Sequence, residues 1–182
     1  REIETMHGGT GHSEIVIEDL RVPGENMLGE RGQGHRLGQY RLGPARLAHC
    51  MRWIAQAEMA LDMMVDRSLN RFSHGSLLAE KQGIQWMIAD SETELAAAEA
   101  LVARAASLKE HGGRFSREAS MAKVYASEAA WRVCNRAVQV HGGYGYTREF
   151  PVERHLRDVR VAQIYEGTSE VQRIVISRHV LR

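Results

Sequence analysis

The 182 residues predict an all-α protein, an antiparallel four-helix bundle preceded by a short N-terminal β segment. Three observations carry that expectation. Apolar residues recur at helical spacing over three long stretches beyond residue 39. Short breaks, the later ones rich in glycine, separate those stretches, and connections of that length join antiparallel neighbours. The first 34 residues differ in kind, with β-branched side chains in partial alternation.

Each element follows from its own residues. Residues 13–22 (SEIVIEDLRV) put Ile15 and Ile17 on one side and close at Pro23-Gly24, which predicts a strand. A lone strand leaves its backbone ladder unpaired, so its partners are expected elsewhere in a complete protein. Gly29, Gly32 and Gly34 predict a hinge-like loop. A first helix is predicted over residues 39–69, with Leu47, Met51, Ile54, Leu61 and Val65 on one face. Glu58 interrupts that stripe, and Pro44 marks a kink or a fresh start. A second helix over residues 80–110 has Ile84, Ile88, Ser91, Leu95, Ala98, Val102 and Ala105 as its seam, and His111-Gly112-Gly113 ends it. Ser116 is the expected N-cap of a third helix that runs to His141, where Gly142-Gly143 stop it. Pro151 suits the first turn of a short fourth segment, which Gly167 breaks. Ser169, with Gln172 three residues on, resembles a capping box for a final helix whose apolar side is Val171, Ile174, Val175 and Val180.

Composition excludes several classes. A chain of this length with 43% hydrophobic residues buries one real core. Lys+Arg 24 against Asp+Glu 23 leaves no basic excess for nucleic acid or a membrane surface. No apolar run is long enough for a membrane span. Cys50 and Cys134 are isolated, which fits neither a disulfide framework nor a zinc site and favours a reducing interior. A di-iron bundle needs Glu-x-x-His on each of two helices; only Glu4 with His7 has that spacing, outside any predicted helix, so no metal is expected. The histidines at 35, 49, 74, 111, 141, 155 and 179 are expected in surface or structural roles, and Trp53, Trp86 and Trp131 in core or interface. The start at Arg1, without a signal or transit pattern, suggests a piece of a longer chain.

Chemistry has one local candidate. Tyr165-Glu166-Gly167-Thr168 sets a carboxylate at a helix break, where the free N–H groups of the next helix suit an anion or a developing oxyanion. The same four residues equally describe an interhelical loop with a solvated glutamate. His141-Gly142-Gly143-Tyr144-Gly145 follows a helix instead of a strand and lacks the Lys-Ser/Thr of a phosphate loop, so by itself it is a helix stop.

Residues 138–178, VQVHGGYGYTREFPVERHLRDVRVAQIYEGTSEVQRIVISR, closely resemble the C-terminal signature of the acyl-CoA dehydrogenases. EDLRVPGENMLGERGQG resembles the end of that family's middle β-domain, and RLGPARLAHCMR is similar to the branch of the mammalian members ten and eleven. The resemblance implies that residues 1–34 are the end of the middle domain and a linker, and residues 35–182 the C-terminal helical domain. The family carries a helical domain and most of a β-domain ahead of that part.

What the resemblance implies chemically is α,β-dehydrogenation of an acyl-CoA thioester. A carboxylate takes the α-proton while the β-hydrogen leaves as hydride to FAD, and Glu166 of the YEGT motif is the implied base. Some branches carry the base just before the arginine matching Arg46, but Ala45 stands there and cannot act. Arg71 matches the arginine that meets the FAD pyrophosphate, and Gln82 a nearby glutamine. Gln139, Gly142 and Gly143 match the segment that approaches the FAD adenosine part across a subunit interface. Thr168 and Glu170 match positions beside FAD, and Arg46, Tyr165 and Gly167 are the implied substrate contacts. Two departures stand out: RFSHG puts Phe72 and His74 where the family has Arg-x-x-Phe-Gly, and Gly43 replaces an acidic residue that in many members orients the substrate. Acyl-chain preference is therefore open.

The implied partners are an acyl-CoA substrate, electron-transfer flavoprotein or a similar acceptor, and further copies in a homodimer or homotetramer. The implied compartment is the cytoplasm of a bacterium, or the mitochondrion or peroxisome of a eukaryote. Two alternatives accompany this reading. One is an acyl-CoA oxidase on the same fold; the other is a non-catalytic helical oligomerisation module, inactive as an isolated chain.

Overall fold

The long apolar periods become helices, seen in a computed structural model that describes residues 1–6 and 8–182. Ahead of them, β1 (Glu2–Glu4) pairs antiparallel with β2 (Thr10–Ser13). The strand predicted over residues 13–22 does not form: only Ser13 lies in a strand, and Ile15, Val16, Ile17, Leu20 and Val22 are exposed. Among the described residues no neighbouring strand completes its ladder and no core face covers its apolar side, so the backbone gains nothing by extending. His7, half of the Glu4–His7 spacing, lies outside the described residues.

The bundle is built on α1 (Gly34–Asn70), α2 (Gln82–Glu110) and α3 (Ser116–His141), with the shorter α4 (Val152–Arg160) and α5 (Ser169–Val180) packed on α3. Short connections fold α2 back on α1 and α3 back on α2. In the first of them β3 (Phe72–Ser73) and β4 (Ser76–Leu77) make a hairpin whose two turn residues, His74 and Gly75, have φ of +50° and +83°. That is the local geometry behind the RFSHG departure. α3 is the central helix and contacts the other four. It does so because its buried side is rich in alanine (119, 122, 126, 129, 130 and 137), which lets several neighbours approach closely while keeping high helix propensity.

α1 begins before residue 39 and runs through Pro44 without ending. Pro44 lies in the third turn, where it has no N–H to give to the Tyr40 carbonyl, and the helix continues past that missing bond. The buried stripe of α1 is Leu47, Cys50, Ile54, Ala57, Leu61, Met64 and Ser68; Met51, expected inside, is 56% exposed. The seam of α2 is as expected from Ser91 to Ala105, and the Ser91 hydroxyl donates to the Met87 carbonyl at 2.6 Å. Glu94 on α2 receives both Arg132 and Arg136 of α3 at 2.9 Å, tying the two helices at their polar margin.

Two caps differ from expectation. Phe115 is the N-cap of α3, with Ser116 already helical. Thr168, not Ser169, caps α5, its hydroxyl accepting from the Val171 N–H at 3.3 Å. The faces of α5 are also inverted: Val171, Ile174 and Val180 are exposed, while Ser169 and Gln172 are buried. Both cysteines are free and buried, and burial pushes their thiols up to about 12. Among the described residues no cluster suits a metal ion, and no helix is long and apolar enough to cross a membrane.

Lys123 is the largest fully buried side chain, and its ammonium makes no hydrogen bond among the described residues. It sits 6.0 Å from the centre of the Trp53 ring, and burial pushes its pKa down to about 8. Above about pH 8 the folded chain releases this proton, whereas the unfolded chain holds it up to its ordinary ~10.4. Stability from this group therefore rises with pH through that window. Relative to Lys123→Met, the parent's urea unfolding free energy is expected to improve by ~2 kcal/mol between pH 7.5 and 9.5. An unchanged difference would refute it.

Candidate active site

The turn between α4 and α5 carries a constrained backbone at a titratable group. Glu166 has φ of +59° and Gly167 φ of +89°, so two successive residues are left-handed. For a residue with a Cβ this conformation is unfavourable by ~1–2 kcal/mol and persists only where neighbours hold it. They do. Arg46 Nε donates to the Glu166 carbonyl at 2.8 Å, and the Gln172 amide donates to the same oxygen at 3.2 Å and to the Gly167 carbonyl at 3.1 Å. A Cβ on Gly167 would meet the Gln172 amide nitrogen and push it off the two carbonyls it holds, in addition to the unfavourable φ.

The carboxylate so placed is nearly enclosed, with a side chain 9% exposed. Its Oε1 faces Arg41 Nη1 at 3.3 Å and His49 Nε2 at 3.5 Å. Its Oε2 is buried and makes no hydrogen bond among the described residues. The Glu166 N–H likewise donates to no described residue, which leaves it free to polarise a carbonyl. Tyr165 completes the group: its hydroxyl accepts from Trp53 Nε1 at 3.0 Å and lies 3.4 Å from His49 Nδ1. Burial raises the Tyr165 phenol above its ordinary value; the Trp53 hydrogen bond opposes this and the Glu166 charge adds to it. Burial lowers Arg46, with Glu166 opposing, yet its guanidinium remains the charged donor to the carbonyl. Thr168 caps α5 beside Glu170, whose carboxylate is held below its usual range by its own backbone N–H and the Thr168 hydroxyl.

The structure thus gathers Glu166, Tyr165, Gly167, Arg46 and Thr168 in one place. It adds Arg41, His49, Trp53 and Gln172, which sequence reasoning did not select. His49 had been assigned a structural or surface role. The available signal was periodic: Arg41, Ala45, His49 and Trp53 recur every four residues, a strip of α1 beside the apolar stripe. Which carboxylate that strip faces depends on a residue more than a hundred positions away.

A cleft of about 450 Å³ lies at the other end of α1, lined by Arg67, Arg71, His141, Gly142, Gly143 and Tyr144 among others. The expected Arg71, Gly142 and Gly143 meet there, while Gln82 and Gln139 are exposed and do not line it. Arg67 stacks its guanidinium on the Tyr144 ring at 4.9 Å. No carboxylate lines the cleft, and a Cβ added at Gly142 would meet nothing within 4 Å, so there is room for an anionic group against the backbone. From Arg46 to Arg71 the helix rises roughly 37 Å at 1.5 Å per residue.

A family model described as the acyl-CoA dehydrogenase C-terminal domain matches residues 32–181. The chain is 46% identical, over 96% of its length, to the caffeyl-CoA reductase-Etf complex subunit CarC of Acetobacterium woodii, of which it covers 46%. It is 42% identical, also over 96% of its length, to the human mitochondrial short-chain specific acyl-CoA dehydrogenase, of which it covers 42%. The solved structure of butyryl-CoA dehydrogenase from Megasphaera elsdenii matches with a TM-score of 0.93 and 39% identity, covering 100% of this chain and 48% of that one. The chain spans less than half the length of these relatives.

The steric reading of the turn is directly testable. Gly167→Ala is expected to lower the unfolding free energy by ~1–3 kcal/mol, because it adds both a left-handed penalty and a clash with Gln172. Urea titration measures it, and a change within ±0.3 kcal/mol would contradict the geometry.

Proposed function

The chain belongs to the acyl-CoA dehydrogenase family, as its C-terminal domain, and from that premise we propose that Glu166 is the base for α,β-dehydrogenation of an acyl-CoA thioester. One observation supports this above the others: a nearly enclosed carboxylate with one oxygen held and the other buried without a hydrogen bond. Such an oxygen is where a substrate proton would go. A thioester α-proton is too weakly acidic for an ordinary carboxylate, so the carbonyl must be polarised as the proton leaves. The free N–H of Glu166 is suited to that, at ~3–4 kcal/mol for a well-aimed donor. Arg46 and Gln172 hold the adjacent carbonyl and thereby fix the direction of the peptide flanking the carboxylate.

FAD, when bound, supplies the acceptor for the β-hydride. The residues present fit such a cofactor. Arg71, Gly142 and Gly143 would meet its diphosphate and adenosine side in the cleft with no carboxylate, while Tyr165, Thr168 and Glu170 would lie toward its redox-active end. Those two sets stand toward opposite ends of α1, a helix that rises roughly 37 Å between Arg46 and Arg71. Each cofactor would be shared between copies of the chain, with a homodimer or homotetramer as the working state. The exposed Val171 and Ile174 of α5 and exposed Trp86 of α2 supply apolar surface for such contacts. Electron-transfer flavoprotein or a similar carrier would reoxidise the flavin, in keeping with a relative named as part of an Etf complex.

In the whole protein loaded with FAD, Glu166→Gln should retain flavin and lose at least ~100-fold in turnover of an acyl-CoA. Near-normal turnover would remove Glu166 from the mechanism. Anaerobic reduction of the flavin by an acyl-CoA followed by admission of air separates a dehydrogenase, which reoxidises slowly, from an oxidase.

A further inference from the structure

Trp53, Tyr165 and His49 form a cluster in which the indole fixes the direction of one hydrogen bond. An indole nitrogen only donates, so the Tyr165 oxygen accepts from Trp53 Nε1 across their 3.0 Å contact. The phenol, protonated at neutral pH, must then place its own hydrogen elsewhere, and His49 Nδ1 lies 3.4 Å from that oxygen. With Nδ1 accepting, a neutral imidazole carries its single proton on Nε2. Nε2 is the atom that faces Glu166 Oε1 at 3.5 Å.

The ring has little freedom to turn away. It is stacked on Trp53 at 5.9 Å with an interplanar angle of 16°, and the Tyr165 ring lies 5.1 Å off at a tilt. Arg41, the other group at Oε1, has a side chain 70% exposed and is free to swing into solvent; the His49 side chain is 19% exposed. The Tyr165–His49 contact of 3.4 Å is at the long end for a hydrogen bond and the 3.5 Å approach of Nε2 to Oε1 lies just beyond one, distances of the kind that shorten when a substrate closes a site.

We propose that His49 is a positioning residue for the Glu166 carboxylate: in its Nε2–H tautomer, fixed by Trp53 through Tyr165, it holds Oε1 and leaves Oε2 as the oxygen that takes the α-proton. This rests on Glu166 being the base. The bond that breaks is the substrate's α-C–H and the bond that forms is Oε2–H; the released electron pair would close the α,β double bond, with a bound FAD supplying the acceptor for the β-hydride. His49 gives up no proton in the step; it directs which oxygen is free to act.

Two measurements test it separately. Nitrogen-15 NMR of the histidine-labelled chain, without flavin or substrate, should show His49 protonated at Nε2 with Nδ1 as acceptor. Tyr165→Phe should move the Nδ1 resonance toward that of a ring with no donor. An Nδ1–H tautomer in the parent, or no response to Tyr165→Phe, overturns the polarity.

In the FAD-loaded protein, His49→Leu should lower kcat about tenfold with KM changed by less than about twofold. His49→Gln, which returns an N–H at the reach of Nε2, should recover most of that loss. Equal loss in both variants, or loss in neither, overturns the positioning role. If Glu166→Gln alone keeps its turnover, the base assignment fails while the tautomer result still stands, so the two failures are distinguishable.

Discussion

The grip of Arg46 and Gln172 on the Glu166 carbonyl is the constraint on which the site depends. The left-handed Glu166 is unfavourable by ~1–2 kcal/mol, an amount similar to what a charged hydrogen bond contributes. The turn is therefore held by its neighbours and not by its own preference. Arg46 comes from α1 and Gln172 from α5, so the carboxylate is aimed only when both helices have docked on α3. Gly167 makes the arrangement possible by leaving the space that the Gln172 amide occupies.

α1 acts as a ruler for the rest. Its first half supplies Arg41, Arg46, His49 and Trp53 to the Glu166 turn, and its last turns supply Arg67 and Arg71 to the cleft beside Gly142 and Gly143. Those groups are fixed at opposite ends of one rigid helix. The exposed apolar side of α5 is consistent with a surface that another chain covers. The inversion of α5 belongs to the same logic: its polar Ser169 and Gln172 face inward because the turn needs an amide there, and its valine and isoleucine are left outside.

Much of the bundle was legible because helix formation and burial follow local periodicity. The α2 seam from Ser91 to Ala105 and the glycine stop after His141 emerge as expected. The failures have physical causes. A strand at residues 13–22 needs a partner, which no period in its own sequence supplies. Met51 falls outside the core because hydrophobicity alone does not say where one helix face ends. Caps at Phe115 and Thr168 fell one residue from the predicted serines because the cap is decided by which backbone turns first, not by which hydroxyl is available.

The sequence alone determined the helical class and the helix boundaries to within about five residues. Those properties are encoded in neighbours three to seven positions apart. Tertiary structure decided what surrounds Glu166: that His49 faces its Oε1, that its Oε2 is left buried and free, and that Gln172 serves the turn in place of a helix cap. Each of these depends on the docking of side chains from α1 and α5 against one turn, and a distance across more than a hundred residues of chain has no local pattern to announce it.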